Sequence, residues 1–336
     1  MKDLINSKKT AVHEGGELSA VDILGQLVKG QETKGDGDSH VFLTDSEVMG
    51  NLFMFTIAGH ETSANTVHLC LLFLALHPHI QRKVQAEVDS IFQSRPISQW
   101  SYDGDFPHLL NGILGAVLNE SLRLVPPVIN IPKHVASSTP QLLNIGDKVV
   151  TVPQHTMIRL CVPSVHRNPK YWSQELPRDS NKPISSTGDE VNDLDEFRPE
   201  RWLKNRTHDP YDKEGESHLF TPQKGSYIPF SDGPRACLGK RFAQVEIVAV
   251  LAAILHSHSI ELDIIANGAT TEVLGDEKIM SMSREEKRKL WNCAREKANR
   301  VWRENMTLMI TLQLSGEKGN VPLKVVPRGK ERFFDL

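Results

Sequence analysis

The sequence predicts a mainly α fold with small β-sheets, and three observations carry that prediction. Long apolar stretches open on helix-start signals and close on proline. Short β-rich patches are confined to residues 128–165 and to the C-terminal end. The composition, 39% hydrophobic and 24% charged, is that of a folded globular chain. With 39 basic and 42 acidic side chains the net charge is −3, and no local Lys/Arg cluster stands out, so a nucleic-acid footprint is excluded. Cys70, Cys161, Cys237 and Cys293 form no CxxC pair, which excludes a zinc knuckle or dithiol redox motif. They are too sparse for a disulfide scaffold, and a reducing compartment is the simpler reading.

Residues 1–43 are weakly patterned, and Met1–Lys9 lacks the apolar core of a signal peptide. A short amphipathic piece, Ala20–Val28, precedes a Gly/Asp/Lys-rich loop, Gly30–Ser39, expected to be exposed and mobile. Thr44 and Glu47 have capping-box spacing and open a helix running to about His77, before Pro78. Further helices are predicted over Ile80–Phe92, roughly Leu109–Val125 (stopped by Pro126-Pro127) and Lys240–Ser257. Lys148–Val152 and Met157–Val162 read as β patches. Residues 173–196 and 264–280 read as polar loops. Ser283 and Glu286 cap a charged helix to about Asn305, with Leu290, Trp291, Ala294, Ala298 and Val301 as its stripe. Thr307–Leu314 alternates, predicting Leu308, Ile310, Leu312 and Leu314 on one face and Val321–Val326 as hairpin partner. No apolar run approaches the ~20 residues that cross a bilayer. The most apolar stretches, Asn51–Gly59 and Phe242–Leu255, read as buried helices.

Two segments carry chemistry. In Phe230-Ser231-Asp232-Gly233-Pro234-Arg235-Ala236-Cys237-Leu238-Gly239 a cysteine lies in a loop between glycines, directly before an apolar helix. Backbone N–H groups near a helix start favour a thiolate, which suits an iron ligand. Gly233 and Gly239 let backbone approach a flat ligand, and Arg235 suits an anionic group such as a haem propionate. Within the long helix, Ala58-Gly59-His60-Glu61-Thr62-Ser63 is locally unfavourable: an interior glycine costs about 1 kcal/mol and a buried carboxylate costs more unless paired. Ala58 and Thr62 share a face, and Glu61 with Thr62 forms an acid–alcohol pair able to relay protons.

These residues resemble the cytochrome P450 family. Residues 230–239 match its haem-loop pattern Phe-x-x-Gly-x-Arg-x-Cys-x-Gly at every fixed position. The resemblance implies that Cys237 is the axial thiolate of haem b and that Arg235 pairs with a propionate, with Phe230, Gly233 and Gly239 shaping the loop. Residues 58–63 resemble the family's oxygen-activation helix, which implies Ala58 and Gly59 beside the cofactor and Thr62 and Glu61 as catalytic residues. Glu120-Ser121-Leu122-Arg123 matches Glu-x-x-Arg, and Phe197-Arg198-Pro199-Glu200-Arg201-Trp202 supplies the family's third partner, Arg201. Glu120, Arg123 and Arg201 are then a buried structural network. Pro126–Pro132 resembles the segment lining the cavity above the haem, so Val128, Ile129 and Ile131 are expected to face substrate, with Phe55 from the long helix. Lys133 stands where the family usually has Arg, and meets a propionate as a point charge. His134 and His166 read as surface or loop histidines. Trp291-Asn292-Cys293-Ala294-Arg295 matches the family's Trp-x-x-x-Arg by coincidence, since it follows the cysteine loop.

The resemblance spans about 43–328 and implies a P450 fold with its N-terminal part missing. Residues 1–43 would be a partial N-terminal helix and flexible loop. Residues 44–336 would be the haem-binding core, with insertions at about 173–196 and 264–305 that look most like fungal microsomal members. It implies a monooxygenase acting on a lipophilic small molecule, with O2 and an NADPH-cytochrome P450 reductase as partners. It also implies a place on the cytosolic face of the endoplasmic reticulum membrane, with no anchor in this chain. A P450-like isomerase or dehydratase, whose kind tends to lack the helix threonine, and a truncated fragment unable to retain haem are the rival readings.

Overall fold

The structure, a computed structural model, describes residues 1–13, 23–31, 43–136, 138–172, 193–203, 219–270, 274–316 and 319–333. It divides into two compact units, Met1–Thr62 and Ser63–Leu336. In the first, helices α1 (Lys2–His13) and α2 (Ile23–Lys29) and the start of α3 (Asp45–Leu76) enclose a small core of Ile5, Val28 and Val48. Within 1–43, where a partial N-terminal helix is expected, two helices are seen, and the sequence placed only the second, near Ala20–Val28; most of the Gly30–Ser39 loop lies outside the described residues. The α3 capping box forms as predicted: the Thr44 N–H donates to Glu47 Oε2 at 2.7 Å and the Glu47 N–H to Thr44 Oγ1 at 3.2 Å.

The second unit is built around the end of α3, α4 (Pro78–Phe92), α5 (Phe106–Asn111), α6 (Ile113–Leu124) and α9 (Lys240–Ser257). Pro78 takes the first position of α4, where its missing N–H costs nothing. Leu69–Leu76, Ile80, Val84, Val88, Leu114, Leu118, Val248, Leu251 and Leu255 fill the space between these helices. The single helix predicted over 109–125 is instead two, broken at Gly112. The cause is Glu87 on α4. Its carboxylate accepts the Ile113 and Leu114 N–H groups at 2.7 and 3.0 Å, capping α6 from a neighbouring helix.

Among the described residues the sheets are four antiparallel pairs. β1 (Asn130–His134) pairs with β4 (Met157–Cys161), and β2 (Gln141–Ile145) with β3 (Lys148–Val152). Short helices α7 (Val162–His166) and α8 (Pro169–Trp172) follow β4. β5 (His258–Leu262) pairs with β8 (Leu323–Pro327), and β6 (Met306–Leu308) with β7 (Leu312–Leu314). The pairing expected of 321–326 with 307–314 is therefore wrong. Residues 306–314 fold back on themselves, because the Leu312 N–H donates to the Pro127 carbonyl at 2.8 Å and Asn65 Nδ2 to Thr311 Oγ1 at 2.8 Å. Of the four residues expected on one face, Leu308 and Ile310 are exposed and only Leu312 and Leu314 are partly buried. On its other side β5 meets α4: Gln81 Nε2 donates to the Ile260 carbonyl at 2.9 Å and the Ile260 N–H to Gln81 Oε1 at 2.7 Å.

Part of the 264–280 loop is helical, as α10 (Asp276–Ser281). α11 (Arg284–Glu304) carries the predicted capping box, and Ala294, Ala298 and Val301 of its stripe are buried. Trp302, unforeseen in that stripe, meets Phe73 edge-on at 5.2 Å, and Phe73 stacks on Phe197 at 4.7 Å.

A Cβ at Gly115 would lie 1.8 Å from the Leu110 carbonyl oxygen, and one at Gly112 would lie 1.7 Å from a Glu87 oxygen. Gly115→Ala should therefore destabilise by more than about 3 kcal/mol, since backbone must move. Gly112→Ala should cost about 1–3 kcal/mol by expelling the cap. Gly275, with open space around it, should accept Ala within about 0.5 kcal/mol. Urea midpoints of the three variants check the order.

Candidate functional site

Glu120 on α6 is fully buried, and a carboxylate there must be compensated. Its oxygens accept from Arg123 Nε at 2.8 Å, Arg123 Nη2 at 2.9 Å, Arg201 Nε at 2.9 Å, the Arg198 N–H at 3.0 Å and Trp202 Nε1 at 2.9 Å. Burial alone would raise its pKa; the Arg123 and Arg201 charges and these donors hold it below the ordinary carboxylate range. Arg123 spends its remaining donors on the His166, Leu194 and Glu196 carbonyls at 3.2, 2.8 and 3.3 Å. Arg201 donates to the Asp193 carbonyl at 3.0 Å and lies 3.5 Å from its carboxylate. The three residues expected to form a buried network do so.

Sequence reading missed the shell around this network. Trp202, Trp172 and Tyr227 form an edge-to-face cluster, with Trp202 4.8 Å from Tyr227 and 5.3 Å from Trp172. Arg123 lies over the Trp172 ring at 5.6 Å. His166 is not a surface histidine: it is fully buried at the end of α7. The Ile228 N–H donates to its Nε2 at 2.9 Å, so Nδ1 carries the proton and donates to the Arg123 carbonyl at 3.2 Å. Its position beside a loop gave no sequence signal, because its partners are backbone groups 43 and 62 residues away. His134 is exposed, as expected.

From Ile228 the chain enters the cysteine loop. The Ser231 N–H donates to the Ile228 carbonyl at 3.1 Å, and Phe230 is packed against the core. Ser231 and Gly233 both have positive φ, 62° and 79°, which turns the chain sharply. Asp232 caps the turn by accepting the Gly233 N–H at 2.8 Å. The Cys237 N–H donates to the Phe230 carbonyl at 2.8 Å, closing the loop immediately before α9. Cys237, Arg235 and Gly239 are exposed, Gly239 with open space where a Cβ would stand. Leu238 and Phe242 are 81% and 68% exposed beside them. Arg235 has no acidic partner among the described residues.

The remaining expected residues are distributed as follows. On α3 in the first unit, Ala58 and Gly59 are exposed, Phe55 is half-buried, and Thr62 Oγ1 donates to the Ala58 carbonyl at 2.7 Å. Glu61 is half-buried, with Oε2 sealed from solvent and without a hydrogen-bond partner among the described residues. In the second unit Val128 is exposed and Ile129 and Lys133 are half-buried. Ile131 does not line an open face as expected; it is buried with Val162 and Ile228, because it alternates inward along β1. Trp291 and Arg295 stack on one another within α11 at 5.1 Å, both half-buried and with Trp291 packed against the core.

The donor set has a clear chemical meaning. Among the described residues no three His, Cys, Asp or Glu side chains gather as a protein-only metal site. Cys237 offers one soft donor on an open, apolar-flanked loop, which fits a metal brought in by its own large, flat, apolar ligand. Arg235 beside it fits an acidic substituent on that ligand.

A family model described as Cytochrome P450 matches residues 1–176 and 192–274. Cytochrome P450 monooxygenase 124 of Postia placenta is 31% identical over 76% of this chain and 41% of its own length. Cytochrome P450 3A27 of Oncorhynchus mykiss is 30% identical over 74% of this chain and 40% of its own. Cytochrome P450 3A5 of Homo sapiens is 27% identical over 76% and 42%. The chain thus spans about two-fifths of the length of these curated relatives.

Removing Glu120 strands two buried guanidinium groups. Glu120→Ala should destabilise by about 3–5 kcal/mol in a urea titration. Burial pushes His166 and His77 down to about 4, against the opposing pull of the Arg123 and Phe73 carbonyls they bond. Each histidine binds its proton near pH ~6.5 when unfolded. Their contribution to stability is therefore whole above pH ~6.5 and is lost as pH falls towards 4, with proton uptake on unfolding of about one per histidine. His77→Gln should lower the slope of stability against pH in that window by about one proton; an unchanged slope contradicts the assignment.

Proposed function

The chain belongs to the cytochrome P450 family, and from that premise we propose that Cys237 is the axial thiolate of a haem b iron in a monooxygenase. The observation that carries this reading is the Cys237 loop: a thiol held open by its own turn, with apolar Leu238 and Phe242 turned outward and Arg235 free of acidic partners among the described residues. When bound, the haem supplies the oxygen-activating chemistry. The chain's residues supply the surroundings. The bond from the Cys237 N–H to the Phe230 carbonyl fixes the loop that presents the sulfur. Arg235 and Lys133 neutralise propionates, Arg235 as a fork and Lys133 as a point charge. Ala58 and Gly59 keep their stretch of α3 free of bulk. Thr62 and Glu61 handle protons: the hydroxyl is tethered to the Ala58 carbonyl, and the carboxylate has an oxygen with no partner of its own. Phe55, Val128 and Ile129 contact a lipophilic substrate.

The same proposal takes O2 as co-substrate, two electrons from NADPH-cytochrome P450 reductase, and a place on the cytosolic face of the endoplasmic reticulum membrane. No helix among the described residues is long and apolar enough to cross a membrane. The substrate is a small lipophilic molecule.

Hemin titration of the chain tests the core of the proposal. Reduced and exposed to CO, the loaded protein should show the Soret position of a thiolate-ligated haem, and Cys237→Ala should abolish it. A nitrogen- or water-ligated spectrum in the unsubstituted chain overturns the reading. Arg235→Ala should keep the spectrum and weaken hemin affinity about tenfold to a hundredfold, the worth of a charge-assisted hydrogen bond of ~1.5–3 kcal/mol.

A further inference from the structure

His166, a buried titratable group, joins the Glu120 network to the segment that leads into the cysteine loop. Its imidazole is fully buried and both nitrogens are satisfied by backbone. Nδ1–H donates to the carbonyl of Arg123, the residue that grips Glu120. Nε2 accepts from Ile228, two residues before Phe230. The Ile228 carbonyl then accepts the Ser231 N–H, and the Phe230 carbonyl accepts the Cys237 N–H. An unbroken run of short bonds therefore joins α6 to the cysteine through one side chain. Around it, the Tyr227 ring lies 5.1 Å away, and Ile228 packs with Ile131 and Val162. Ser231, just beyond, has a positive φ, a conformation that a residue other than glycine keeps only when the surroundings fix it.

We propose that His166 is a positioning residue for Cys237: its neutral imidazole ties the segment entering the cysteine loop to the Arg123 carbonyl, and thereby sets where the sulfur stands. The proposal deepens the reading of Cys237 as a haem ligand and rests on it for its consequence, though the tether itself does not need haem. A side chain with one donor and one acceptor serves here. An aliphatic or phenyl ring of similar size would fill the space and leave the Arg123 carbonyl and the Ile228 N–H unpaired.

Two measurements on the full chain test it, with His166→Phe removing both bonds and His166→Gln keeping a donor and an acceptor on one side chain. The first needs no haem. Amide exchange across 228–237 should be about tenfold faster in His166→Phe, the scale of one lost hydrogen bond, with the middles of α6 and α9 unchanged. His166→Gln should restore most of the protection. Unchanged exchange in 228–237, or equal acceleration throughout α6 and α9, overturns the tether. The second follows the loaded protein: His166→Phe should bind hemin but shift a large share of its reduced CO spectrum away from the thiolate position, and His166→Gln should recover it. A fully thiolate spectrum in His166→Phe overturns the positioning role. If the unsubstituted chain itself lacks that spectrum, the ligand reading of Cys237 fails while the exchange result still decides the tether.

Discussion

A single carboxylate shut away from water governs the second unit. Glu120 has no exposed surface, and its charge is tolerable only because two guanidinium groups, an indole N–H and a backbone N–H converge on it. Those donors come from two parts of the chain: α6 itself and the segment 198–202. The guanidinium groups spend other donors on carbonyls from residues 166 and 193–196, which ties these short segments to α6. Buried ion networks of this type are seldom the cheapest way to gain stability. Their value here is geometric: short helical turns too small to hold their own shape acquire one arrangement, and Tyr227, which leads to the cysteine loop, packs on them.

How much of this could be read from the sequence depended on the range of the forces involved. Local signals were legible: both capping boxes, Thr44 with Glu47 and Ser283 with Glu286, form with the predicted partners. The start of α4 at Pro78 and the limits of α9 also follow from neighbours along the chain. Errors arose where a distant group intervened. Nothing around Gly112 announces a helix break, because the cap is Glu87 on another helix. Alternation over 307–314 mimicked one strand, although Asn65 and Pro127 bend it into a hairpin.

The candidate site divides in the same way. Glu120, Arg123 and Arg201 were identifiable because residue type and spacing were both distinctive, and the geometry is as anticipated. His166 and the Trp172–Trp202–Tyr227 cluster were not, since a histidine or tryptophan near a loop has many possible roles and its partners are far along the chain. Ile131 shows the opposite failure. It shares an apolar segment with Val128 and Ile129, yet strand alternation turns it into the core beside Ile228.

The Gln81 side chain has an implication for behaviour in crowded solution. By engaging both polar groups of Ile260 from the flank opposite β8, with Gln85 taking the His258 carbonyl, it occupies the rim that a two-stranded ribbon would otherwise leave bare. Ribbons with bare rims recruit strands from other molecules. A side-chain amide thus does for β5 what a third strand would do, and guards this ribbon against intermolecular growth without lengthening the sheet.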